Sequence, residues 1–188
     1  MDAQIEGYLL QLTSITQDLP GIAARLSDDQ FNWRQSPERW SIGQCIEHLN
    51  ITLERYLPVL RSTIADARSA GRVGTGPFTL GLIERWFLSS LEPPARMRLK
   101  APKSFIASPQ LSPQTTLDRW DRLHAELAAV IRDAEGLDLR AIKVRSQFGP
   151  VSFSFFATLA ILLAHERRHA PAGADGQGRR WLPCNMTA

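Results

Sequence analysis

Apolar side chains recur at every third or fourth position over most of the chain, a pattern typical of amphipathic helices. The pattern predicts a first helix over residues 3–26, with Pro20 expected to kink or break it. It predicts a second helix over residues 42–70, where Ser41 and Gln44 fit a capping box at the start. Both helices present a continuous apolar stripe, so both are expected to pack against a shared core.

Two further helices follow in the second half of the chain. The third is predicted over residues 113–134, with Ser112 at the N-cap position. The fourth is predicted to begin at Ser152 or Ser154 and to run through His169. Four long helices of this kind are typical of an antiparallel bundle with one long connection.

The segments between these helices carry weaker patterns. Residues 27–30 are predicted to be a connector, and residues 71–112 a long crossover connection that contains a short extra helix at 78–91. Residues 137–150 are predicted to be a loop, with a short extended piece at 142–144 and no strand pair. The fold class is therefore predicted to be all-α: a four-helix bundle with a long crossover connection containing a short extra helix.

Length and composition limit the remaining choices. The chain has 188 residues, of which 44% are hydrophobic and 22% charged, as expected for a globular protein. We expect one helical domain over residues 1–170 and a loosely ordered tail over 171–188, which lacks periodicity.

The charge and the apolar runs indicate what the protein does not bind. A net charge of only +3 does not indicate a nucleic-acid partner. The longest apolar run, residues 151–164, is shorter than a membrane-spanning helix, so no membrane association is expected. Cys45 and Cys184 form no disulfide framework and the N-terminus lacks signal-peptide features, so we expect a cytoplasmic location.

The most informative stretch lies at the end of the fourth predicted helix. His165 and His169 are four residues apart and therefore share a helix face, where two imidazoles can hold one metal ion. Residues 165–169 also match the H-E-x-x-H pattern of zincin proteases, in which Glu166 would be the general base. A metzincin would need Gly and His where Ala172 and Asp175 stand, so a protease is disfavoured.

The spacing of His165 and His169 does not identify the remaining ligands of a metal site. A third ligand must come from elsewhere, and His48 and His124 are the remaining histidines. His124 is predicted to be a surface or packing residue. The alternative to a metal site is also open at this point, because histidines in the last turns of a helix are stabilised by the helix dipole.

Three stretches of the chain, in order, resemble the DinB-like (DinB/YfiT) superfamily. They are Trp40-Ser41-Ile42-Gly43-Gln44 with Glu47-His48-Leu49, then Trp86-Phe87 to Glu92-Pro93-Pro94 with Lys100-Ala101-Pro102-Lys103 and Phe105, then Leu163-Ala164-His165-Glu166-Arg167-Arg168-His169. The resemblance extends over roughly residues 5–170. It ends after His169, where Pro171 stands in place of a further helical turn of the family.

The resemblance implies a four-helix bundle that holds a divalent metal ion through three histidines, here His48, His165 and His169. Zn²⁺ or Ni²⁺ is expected ahead of Fe²⁺ or Mn²⁺. It further implies a metal-dependent enzyme, a thiol transferase or hydrolase-like, acting on a small-molecule substrate such as a low-molecular-weight thiol. A homodimer is also implied.

Two other functions stay open beside this one. The first is a non-catalytic helical bundle that binds a metal or a ligand, and the second, less favoured, is a zincin-type protease. Glu166 lies ~80° around the helix from the mean direction of the His165/His169 pair, given 3.6 residues per turn. From that position Glu166 could support a ligating histidine through a hydrogen bond, without binding the metal itself, or could transfer a proton.

Overall fold

The computed structural model describes residues 2–23, 25–37, 39–92 and 102–169. The elements in these ranges are α1 (Ala3–Ala23), α2 (Asp28–Asn32), α3 (Ile42–Ser69), α4 (Leu82–Leu91), a 3₁₀ turn (Lys103–Phe105), α5 (Pro113–Asp133), β1 (Lys143–Arg145), β2 (Ser152–Ser154) and α6 (Phe155–His169). The long helices α1, α3, α5 and α6 pack around one main hydrophobic core. The predicted all-α bundle is confirmed.

Helix α3 is the longest element, and its boundaries follow from local chemistry. The backbone N–H of Gln44 donates to Ser41 Oγ, and the backbone N–H of Ser41 donates to the side-chain oxygen of Gln44, each at 3.1 Å. This capping box pairs two N–H groups that the first turn would otherwise leave without partners. The predicted core-facing positions that are buried are Ile46, Leu49, Leu53, Leu57, Leu60 and Ile64.

Helices α3 and α5 run parallel. The Asn50 amide donates to the carbonyl of Thr116 at 3.0 Å near the start of both helices, and Arg68 donates to the carbonyl of Asp133 at 2.6 Å near their ends. Because both helices point the same way, the chain between the end of α3 and the start of α5 has to return along the length of the bundle. Residues 93–101 of that connection and the predicted tail at 171–188 lie outside the described residues, so the crossover and the tail remain predictions.

Helix α1 differs from its prediction at its C-terminal end. It ends at Ala23 rather than near residue 26, and it continues through position 20. Pro20 therefore does not break the helix, and the kink that was the other expectation stays a prediction. Its buried Tyr8 donates from the phenolic hydroxyl to the carbonyl of Phe156 at 3.0 Å, which joins α1 to the first turn of α6. The hydrogen bond satisfies a buried hydroxyl that would otherwise be costly.

Residues 28–30 of the predicted connector at 27–30 belong to helix α2 and Ser27 is its N-cap, so the prediction of a connector is wrong. The backbone N–H of Gln30 donates to Ser27 Oγ at 3.3 Å, and the reciprocal bond from the Ser27 backbone is 2.9 Å. Phe31 on this helix is fully buried against α3, at Gly43. A Cβ at position 43 would lie 2.4 Å from the Phe31 ring, so only glycine allows this close approach.

The expectation of no strand pair is also wrong. Strands β1 and β2 pair antiparallel, with Val144 opposite Phe153, and residues 146–151 form the turn between them. Each strand has three residues, too few for alternation to stand out from chance, and Val144 and Phe153 are the apolar residues that are buried in them. The hairpin leads directly into α6, where the N–H of Ala157 donates to Ser154 Oγ at 3.1 Å.

The short helix α4 begins at Leu82 rather than at residue 78 and packs against α6. Within the described ranges, no helix combines the length and the apolar character needed to cross a membrane.

Candidate metal centre

Helices α3 and α6 bring three histidines together inside the bundle. His48 comes from the second turn of α3, and His165 and His169 come from the end of α6. Their exposed fractions are 1%, 9% and 2%. Each offers one ring nitrogen such that the three nitrogens lie within 4.8 Å of one another. The three histidines predicted to be ligands therefore form one cluster.

The orientation of His48 is set by a backbone carbonyl. His48 Nδ1 lies 2.9 Å from the carbonyl oxygen of Phe105, in the 3₁₀ turn. Because a carbonyl can only accept, Nδ1 carries the proton and donates. The lone pair of the neutral ring is then on Nε2, which points into the cluster. This is the arrangement usual for metal-ligating histidines, whose second nitrogen donates to a carbonyl or carboxylate.

The distance between the two nearest ring nitrogens suits a shared cation. His48 Nε2 and His165 Nε2 are 3.2 Å apart. Two nitrogens 3.2 Å apart and each ~2.0–2.1 Å from one ion subtend roughly 100–106° at that ion, close to tetrahedral. A single proton could also bridge these two nitrogens, but it would not account for the third ring, whose centroid is 4.5 Å from that of His165.

Burial keeps two of these imidazoles neutral. Desolvation, with repulsion from His169, lowers the pKa of His48 to about 4, although the bond to the Phe105 carbonyl acts in the opposite direction. Desolvation lowers the pKa of His165 well below its usual value, and repulsion from His169, His48 and Arg168 adds to this. Both rings therefore have a free lone pair at neutral pH, so metal binding at these two positions displaces no proton.

His165 also has an orphaned polar atom. Its Nδ1 is buried and has no hydrogen-bond partner among the described residues. Because Nε2 of His165 faces His48, a His165 ring that binds a metal ion through Nε2 carries its proton on Nδ1. The buried neutral rings, the facing Nε2 atoms and the imidazole-only donor set together fit a divalent transition-metal ion.

A family comparison bears on this cluster. A model of the DinB superfamily matches residues 11–171 of the chain, which include all three histidines. The chain belongs to the DinB superfamily. Neither the curated proteins nor the solved structures include a significant match.

Aromatic rings surround the cluster in this DinB-superfamily protein. The Trp40 ring lies 4.9 Å from that of His48 and 6.4 Å from that of His169, between centroids. Phe105 lies 6.3 Å from His48, and Phe148 lies 5.6 Å from His165. The sequence does not single out Phe148, because a lone aromatic residue in a loop carries no signal of its own.

The fourth histidine lies elsewhere. His124 on α5 is buried, so the expectation of a surface residue is wrong and that of a packing residue is right. Its Nδ1 lies 2.8 Å from the carbonyl of Trp120, and its Nε2 lies 3.1 Å from Oε1 of Glu166. Since Nδ1 must donate to the carbonyl, one further proton must lie between Nε2 and the carboxyl group.

The main contact of Glu166 is therefore with α5. Its side chain is buried, and Oε2 has no hydrogen-bond partner among the described residues. Glu166 does not belong to the cluster of candidate ligands, which is limited to the three histidines within the described part of the chain. Its predicted role, to support a ligating histidine or to transfer a proton, stays a prediction.

Proposed function

We propose that this protein holds one divalent transition-metal ion through His48, His165 and His169 and acts as a metal-dependent enzyme on a small molecule. The observation that carries the proposal is the pair of Nε2 atoms, 3.2 Å apart, on neutral buried rings. Facing lone pairs at this distance repel each other unless a cation or a proton lies between them. A third imidazole at the same place favours the metal ion.

The donor set limits the choice of ion. Three imidazoles suit Zn²⁺ and Ni²⁺, with Fe²⁺ and Mn²⁺ as further candidates. Three protein ligands leave a coordination position for a substrate or solvent molecule, which is typical of catalytic zinc sites rather than of structural ones. When bound, such an ion would act as a Lewis acid and lower the pKa of a coordinated water or thiol. The resemblance to the family supports a low-molecular-weight thiol as the substrate.

The protein's own residues would prepare the site. The Phe105 carbonyl holds His48 in the tautomer that presents Nε2 to the cluster. Trp40, Phe105 and Phe148 exclude water from the imidazoles, which strengthens electrostatic interactions there. We place Glu166 outside the coordination sphere, where its carboxyl group joins α6 to α5 through His124.

The depth of the cluster favours a second candidate function. With exposed fractions of 1%, 9% and 2%, the three histidines could equally hold an ion that stabilises the bundle and takes part in no turnover. A structural ion would have a closed coordination sphere, whereas a catalytic one would exchange an external ligand. Azide binding to the Co²⁺-loaded protein separates the two, because only an open position gives a change in the visible spectrum.

The metal content of purified protein tests the proposed ligands. We expect one ion per chain in the wild type and loss of the ion in His48→Ala and in His169→Ala. His124→Gln is the matched control, because His124 is a buried histidine outside the cluster. Unchanged metal content in both cluster variants would overturn the site.

Catalysis needs a separate experiment. Metal-loaded and chelator-treated protein are incubated with low-molecular-weight thiols and a panel of electrophiles, and products are followed by mass spectrometry. We expect turnover only with metal present and only with an intact cluster. Metal binding without any turnover or ligand exchange would favour the non-catalytic alternative.

A further inference from the structure

The three histidines are not equally hidden from solvent. His48 and His169 are 1% and 2% exposed, whereas His165 is 9% exposed. Solvent therefore comes closest to the cluster at His165. Within the described part of the chain, this edge is therefore the side from which a ligand would approach the metal.

Phe148 stands at that edge. Its ring centroid is 5.6 Å from that of His165 and 4.6 Å from that of Phe105, and 37% of the residue is exposed. Phe105 beneath it is only 1% exposed. Phe148 thus has one face toward solvent and the other toward two residues of the site, which is the position of a plug.

The turn that carries Phe148 is held in place by hydrogen bonds. The backbone N–H of Gln147 donates to the Tyr56 hydroxyl at 3.2 Å, and that hydroxyl lies 3.3 Å from Ser146 Oγ. The N–H of Phe148 itself donates to Ser146 Oγ at 3.1 Å. The position of the ring is therefore fixed by α3 and by its own turn, so moving it aside has an energetic cost.

From this geometry we propose that Phe148 sets the size of the ligand that reaches the metal. The inference rests on the proposed function, because it requires an ion held by the three histidines. A small ligand passes beside the ring, whereas a bulky one has to displace Phe148 from Phe105 and His165. Phe148 is thus a specificity-determining residue for the substrate of the site.

The size of the effect follows from what the ring loses when it moves. Displacing an aromatic side chain from its packing loses part of its buried apolar contact. That loss corresponds to roughly a tenfold weaker affinity for a bulky ligand. Truncation of Phe148 should restore this factor and should leave small ligands unaffected.

Two anions of different size provide the test. The Arg55 guanidinium lies 4.4 Å from the centre of the Phe105 ring and favours anions at this edge, so the probes should carry the same charge. Azide is the small probe and thiophenolate the bulky one. Their dissociation constants are measured on anaerobic Co²⁺-loaded protein from the visible and ligand-to-metal charge-transfer bands.

Four proteins are compared: the wild type, Phe148→Ala, Phe148→Leu and Trp86→Ala. Phe148→Leu retains much of the side-chain volume, and Trp86 is an exposed aromatic residue on α4 whose truncation controls for loss of surface apolar area. We expect Phe148→Ala alone to bind thiophenolate roughly tenfold more tightly. Azide affinity should be the same in all four.

The result that would overturn the inference is an equal thiophenolate affinity in the wild type and Phe148→Ala, measured on proteins that both hold Co²⁺ and bind azide. Weaker thiophenolate binding by Phe148→Ala would also overturn it, because the ring would then be a contact for the ligand rather than a plug. Failure of the wild type to hold Co²⁺ is a different result and would refute the proposed function itself.

Discussion

Replacing His124 with leucine should destabilise the protein more than replacing most buried residues. The substitution removes the partner of a carboxyl group that is itself buried, and Glu166 Oε2 already has no hydrogen-bond partner in the described part of the chain. If the carboxyl group of this pair is ionised, removing its partner costs about 3–5 kcal/mol, because the remaining charge stays desolvated. Glu166→Leu should cost less, about 1–3 kcal/mol, because it leaves an imidazole nitrogen rather than a carboxyl group without its partner.

The double variant is the sharper test of this reasoning. With leucine at both positions no polar group is left unpaired, so we expect a free energy of unfolding within about 1 kcal/mol of the wild type. The coupling energy between positions 124 and 166 should therefore exceed about 3 kcal/mol. Urea unfolding at pH 7 measures the stability of the wild type, the two single variants and the double variant. Metal-free protein is used so that metal binding does not contribute to the differences.

Two results would refute the account of this pair. One is a loss below about 1 kcal/mol for His124→Leu, which would mean that the carboxyl group is solvated or paired elsewhere. The other is a double variant as unstable as the sum of the single ones, which would mean that the two side chains act independently. Glu166→Gln is a useful fourth variant, because its amide can still donate to His124 Nε2 and should cost only about 1 kcal/mol.

Three further predictions concern pH, packing and metal removal. Burial lowers the pKa of His48 from 6.5 to about 4 and shifts that of His165 in the same direction, so below pH 6.5 the unfolded chain binds protons that the folded chain does not. Metal-free protein should therefore be most stable above pH 6.5 and should lose up to about 1.4 kcal/mol per pH unit per histidine as the pH falls toward 4. Urea unfolding measures this, and the stability of His48→Ala should depend less on pH. Gly43→Ala should lower stability by about 1–2 kcal/mol despite its better helix propensity, because its Cβ would lie 2.4 Å from the Phe31 ring, and a midpoint in urea equal to or above that of the wild type would contradict this. Chelation of metal-loaded protein should lower Tm, by the equivalent of about 2.7 kcal/mol if the free ion had been at 100 times its Kd, and an unchanged Tm would argue against binding to the native state.

The elements that could be predicted from the sequence are those with local causes. Helix α3 was predictable because its capping box and its apolar stripe lie within the helix itself. The same holds for His165 and His169, whose shared face follows from helix geometry alone. Helix α2 carried the same kind of signal, since Ser27 and Gln30 form a capping box, and it could have been found by applying the rule there.

The features that local sequence patterns could not predict depend on distant parts of the chain. His48 lies 117 residues from His165, and no periodicity joins two such positions, so only the family resemblance selected it. The pairing of Glu166 with His124 depends on how α5 and α6 are rotated against each other. The Phe105 carbonyl is a backbone group that every residue possesses, so its role in orienting His48 has no sequence signal.

The position of a bound ion tests the central claim most directly. Crystals of the protein grown with Zn²⁺ or Ni²⁺ would give an anomalous difference peak measured on both sides of the absorption edge of that metal. We predict one peak per chain, ~2.0–2.2 Å from a ring nitrogen of each of His48, His165 and His169. A peak at His124 or on the surface, with none between these three rings, would contradict the account.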